Sequence, residues 1–136
     1  MTKNDYAGAA GYAQQEIQEC LRTEHPNLED ERGIQSARTR LAMALARQAK
    51  VDDANNVLKP VLAFYQLPAV QKSDAVTLKA DYAEALFAAA LLNPAEKQTL
   101  LVRALQSFDA MPPQLKVLKQ FAQVRAEIVR EQRANP

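Results

Sequence analysis

An all-α fold follows from three features of the sequence. Ala, Leu, Gln, Glu, Lys and Arg dominate a chain of 136 residues that holds only 3 Gly, and these residue types lose least on entering a helix. Apolar side chains recur at three- and four-residue steps along most of the length. No alternating run of Val, Ile, Thr or aromatic residues is long enough to make a strand.

Six helices are the economical division of the chain. The first, about 6–23, places Ala9, Ala13, Ile17, Cys20 and Leu21 on one face. It is interrupted by EHPNLEDERG, because Pro26 disfavours helix in the residue before it and has no N–H to donate. The second, about 31–49, carries Ile34, Ala37, Leu41, Ala44, Leu45 and Gln48 at helical spacing. Asp52 or Asp53 is the expected N-cap of a third helix, about 53–66, which Pro60 should kink or leave with one free carbonyl. After LPAVQKSD, Ser73 or Asp74 is expected to cap a fourth helix, about 73–92. Asn93-Pro94 opens the fifth, about 94–110, and MPPQ opens the sixth, about 114–133. In the sixth, Leu115, Leu118, Phe121, Ala122 and Ile128 are expected inward, with Lys116, Lys119, Arg125 and Arg130 mostly in water. Short connections imply antiparallel neighbours. No Gly/Ser linker divides the chain, so a single domain over 1–136 is expected.

Composition also excludes several function classes. A net charge of +1 gives no electrostatic reason to expect nucleic acid or an anionic membrane as partner. No apolar run approaches the roughly 20 residues that a membrane span needs, and MTKNDYAGAAGYAQQE lacks the pattern of a signal peptide. One Cys cannot build a disulfide framework, which suits a reducing, cytoplasmic setting.

Candidates for chemistry are few. His25, the only histidine, is expected in a turn, and Cys20 is expected as a buried thiol. Glu29, Asp30 and Glu31 lack the ligand spacing of a calcium loop and read as dipole-stabilising acids at a helix start, as do Asp52 and Asp53. There is no Gly-rich phosphate loop, no HExxH and no paired-cysteine spacing. Neither an enzyme nor a cofactor or metal site is expected.

Beneath the helices lies a repeat with a period of 41. Ala13, Ala54 and Ala95 share it, as do Ile17 with Leu58, and Cys20 with Val61 and Val102. On the even helices Ala37 answers Leu78, Leu41 answers Tyr82, Ala42 answers Ala83, Ala44 answers Ala85, and Leu45 answers Leu86. The match fades after Thr99. Small residues let two helices approach, and large ones fill the space between hairpins.

In RLAMALARQAKVDDANNVL, the order Leu41-Ala42, Leu45, Ala54, Leu58 resembles the tetratricopeptide repeat family. The long period and His25-Pro26 are similar to the repeats of kinesin light chains and related bacterial proteins. KADYAEALFAAALLNPAEKQTLLVRAL is a looser copy, and the family's usual turn glycine is Ala49 here. The resemblance implies a right-handed superhelix of antiparallel hairpins whose first helices line a concave face. On that reading Ser36, Thr39, Arg40, Met43 and Arg47 of one unit, and Thr77, Asp81, Glu84 and Phe87 of the next, are left to bind a protein or peptide. Met43 and Phe87 would be the apolar anchors. Some members clamp a C-terminal carboxylate with Lys and Asn; Thr39 and Met43 hold the matching places, so that function is not supported.

The implied function is a non-catalytic scaffold or adaptor. The alternative is a regulatory or oligomerisation module cut from a larger bacterial signalling protein, such as a kinase or transcription regulator. The array begins half-way through a repeat, which favours a cap or an excised piece. Self-association as a homo-oligomer is expected through the C-terminal helix if its apolar stripe is incompletely covered.

Overall fold

Helix-forming composition and periodic apolar residues produce helices throughout a computed structural model that describes residues 6–21, 28–73, 75 and 77–134. Among these residues every regular element is helical. The chain divides into two compact units, Met1–Phe64 and Tyr65–Pro136.

The first unit is built on α1 (Tyr6–Leu21), α2 (Leu28–Arg47) and most of α3 (Val51–Gln66). Ala10, Ala13 and Ile17 of α1 meet Ala37, Leu41 and Ala44 of α2, with Leu45 and Val57 packed alongside. Alanine at four of these six contact positions lets the two helices approach closely. Outside that seam Arg40 reaches across to the Glu16 carboxylate and donates to Ser36 Oγ at 3.1 Å. An exposed pair of this kind contributes at most about 1 kcal/mol, so apolar packing carries the hairpin.

The turn after α2 explains Ala49. Its φ of 62° is left-handed, the only positive φ at a non-glycine among the described residues. Lys50 N–H donates to the Leu45 carbonyl at 2.9 Å, and Ala49 N–H to the Ala46 carbonyl at 3.0 Å. That crossed pair closes a helix end around one left-handed residue, a place where glycine avoids the Cβ clash. Ala49→Gly is therefore expected to stabilise the protein by about 0.5–1 kcal/mol. Relief of about 1–2 kcal/mol of left-handed strain outweighs the extra freedom that glycine gives the unfolded chain. A urea midpoint that rises with an unchanged slope checks it.

α3 starts at Val51, so Asp52 and Asp53 lie inside its first turn instead of capping it. Their carboxylates still favour the positive end of the helix dipole. Pro60 does not end α3, which runs on to Gln66. Its missing N–H leaves the Asn56 carbonyl without its helical donor.

The second unit contains α4 (Pro68–Gln71), α5 (Leu78–Leu92), a 3-10 turn at Pro94–Glu96, α6 (Lys97–Asp109), α7 (Pro113–Lys116) and α8 (Lys119–Ala134). The expected start at Ser73 is corrected: α5 begins five residues later, and Ser73 Oγ instead accepts the Ala75 N–H at 3.1 Å in a local turn. Proline at its first position allows Pro68 to start α4 in what read as a connector. α5 is mostly buried, with ten of its fifteen residues in the core, as its apolar composition requires.

Burial follows the 41-residue pattern from α2 to α5, where Ala37 and Leu78, Ala42 and Ala83, and Ala44 and Ala85 are all buried. It fails on α6. Ala95 just before it, and Thr99 and Val102 within it, lie one period after the buried Ala54, Leu58 and Val61 and are exposed, and the core face of α6 consists of Leu100, Leu101, Ala104 and Phe108. Asn93 does not cap the helix through a backbone N–H; its amide donates to the Glu96 carboxylate at 3.1 Å. The tight turn that follows advances the helix face before α6 begins.

The expected sixth helix is broken at Val117 and Leu118 into α7 and α8. Leu118 and Ala122, expected inward, are exposed, because the break changes the phase of the apolar stripe. Only Ile128 of α8 is fully buried among the described side chains. Antiparallel to α6, α8 is tied to both ends of that helix. Lys97 Nζ meets Glu131 Oε1 at 2.5 Å at one end, and Arg125 forks onto Asp109 at 3.1 and 3.3 Å at the other.

Candidate binding groove

The first unit holds an open groove of about 1050 Å³ walled by α1, α2 and α3. Its lining is mixed. Ile17, Leu41, Val57 and Pro60 supply apolar floor, while Gln14, Gln15, Gln18 and Asn56 supply amides. Gly11 leaves open space on α1, since a Cβ there would meet nothing within 4 Å.

Arg38 is the one charge among the described lining residues of the groove. The half-buried guanidinium donates to Gln35 Oε1 at 3.4 Å and has no carboxylate partner among the described residues. A cation held in a partly enclosed site without a counter-ion favours an anionic occupant. Each amide side chain offers two N–H donors and a carbonyl acceptor, the complement of an extended peptide backbone.

The nine residues expected to form a groove have varied fates. Ser36 and Arg40 are hydrogen-bonded to each other. Arg47 is exposed in the last turn of α2, where a cation suits the dipole. Met43, Thr77, Asp81 and Glu84 are half-buried. Two expectations are corrected. Thr39 is buried, because its hydroxyl is satisfied by the Gln35 carbonyl at 2.9 Å. Phe87 is 2% exposed and belongs to the core, within the buried run from Ala85 to Ala90.

The groove-lining amides Gln14, Gln15 and Gln18 of α1 lie outside the 41-residue pattern, which concerns apolar positions alone. His25, Pro26, Asp74 and the side chains of Cys20, Glu29 and Asp30 lie outside the described residues. Among the described residues no three acids, cysteines or histidines gather as a metal site, and no helix is long and apolar enough to cross a membrane.

The chain matches no protein-family model, no curated protein and no solved structure.

Proposed function

We propose that the chain is a non-catalytic, tetratricopeptide-like binding module whose first unit takes a short, extended, acidic peptide segment of a partner protein. The observation that carries this reading is the pairing of Arg38, without a carboxylate partner among the described residues, with a groove lined by amides. The hairpin packing of α1 on α2 and the repeating burial of alanines support it. Arg38 would hold a carboxylate, the Gln and Asn side chains would pair with the peptide backbone, and Leu41 and Val57 would accept an apolar side chain.

Selection from a displayed library of random linear peptides tests the reading. Enriched sequences should carry Asp or Glu. Binding of those peptides should fall about 10- to 100-fold in Arg38→Glu, the loss of one charge-assisted hydrogen bond of about 1.5–3 kcal/mol. Enrichment of basic or uncharged peptides, or equal binding by Arg38→Glu, would contradict it.

A further inference from the structure

The second unit contains a separate cavity of about 280 Å³ between the α4–α5 segment and α6. One wall is aromatic: Tyr65 and Tyr82 stack with centroids 5.4 Å apart at 29°. Two cations, Lys79 and Arg103, line the same cavity, and none of its described lining residues is acidic. Neither cation forms an ion pair among the described residues. Tyr82 Oη accepts hydrogen bonds from Gln66 Nε2 at 2.7 Å and from an Arg103 guanidinium N–H at 2.9 Å. The second bond holds the guanidinium at the cavity edge, and the two together leave the phenolic proton to donate elsewhere. Ser73 Oγ already accepts the Ala75 N–H, so its proton is likewise available.

Donors and positive charge thus converge beside a flat apolar surface, the arrangement that small-ligand clefts use to orient an occupant. We propose that this cavity binds a small organic oxyanion. Its planar or apolar body lies against the half-buried Tyr82, which the buried Tyr65 backs, and its carboxylate or phosphate group sits between Lys79 and Arg103. The site is independent of the peptide groove and uses none of its residues.

Calorimetric titration of the full chain with phenyl phosphate, benzoate, inorganic phosphate and benzyl alcohol tests the proposal. Phenyl phosphate or benzoate should bind at least about tenfold more tightly than either inorganic phosphate or benzyl alcohol, and the tighter of the two identifies the oxyanion. Lys79→Gln and Arg103→Gln should each weaken that binding about tenfold or more. Both residues are exposed, and unchanged helix content by circular dichroism verifies that each variant folds. Inorganic phosphate binding as tightly as phenyl phosphate, benzyl alcohol binding as tightly as benzoate, full binding by both folded variants, or no binding at all would overturn it.

Discussion

Phe87→Ala is expected to lower the unfolding free energy by about 3–5 kcal/mol, the range for truncating a buried aromatic ring. Phe87 is 2% exposed, and every residue from Ala85 to Ala90 is buried with it. Small neighbours hold little side chain that can move into the vacated space, so the cavity term should persist and keep the cost high. Against a total stability of about 5–15 kcal/mol, this is a large fraction. The urea midpoint should fall sharply with little change in slope, while Phe87→Leu, closer in volume, should cost under about 1.5 kcal/mol. An unshifted midpoint in Phe87→Ala would return the ring to the surface.

Ile128→Ala is expected to cost about 2–5 kcal/mol and to act on one helix. Ile128 is fully buried, whereas the other described side chains of α8 are exposed or half-buried. The pairs that flank it are weaker supports. Arg125 and Asp109 are each more than 40% exposed, and such pairs contribute about 0–1 kcal/mol. Lys97 and Glu131 are more enclosed, at 17% and 25%, and hold the other end. Hydrogen exchange should show protection lost across residues 119–134 in the variant, with α1 and α2 unchanged. Arg125→Ala should shift the same amides far less. Equal effects would mean that the ion pair, and not the apolar seat, docks α8.

Much of this fold is legible in the residues themselves. Alanine and leucine spacing locates α1, α2, α3 and α6 to within a few residues, and Pro94 marks a helix boundary by its local chemistry. Ala49 was visible as the place of a turn glycine, and its φ of 62° shows that the turn persists without one. The break at Val117 and Leu118 was not legible. PQLKVLKQFA holds no residue after Pro113 that forbids helix, so contacts made after folding decide it, among them Lys116 Nζ donating to the Asp109 carbonyl at 3.3 Å. The run AEALFAAALL hid the facing of α5 for a different reason. Alanine is acceptable on any side of a helix, so its pattern cannot say whether Phe87 points in or out.

The candidate site was less legible than the fold. Arg38 looks like any surface arginine until burial shows that it shares a groove with amides from α1 and α3 and has no described carboxylate near enough to pair. Arg40, two residues on and the arginine expected to bind, is instead committed to Glu16. Two arginines of similar sequence context thus differ in what they have left to bind, and that difference arises only from tertiary packing.

The peptide groove of the first unit is tested most directly by amide and side-chain NMR spectra of the full chain, titrated with an acidic peptide from the library selection. The largest shifts should fall on the side-chain amides of Gln14, Gln18 and Asn56 and on the guanidinium of Arg38, and should vanish when the peptide's acids are changed to their amides. Shifts confined to other residues, or undiminished with the amidated peptide, would contradict the assignment of this groove and of Arg38 within it.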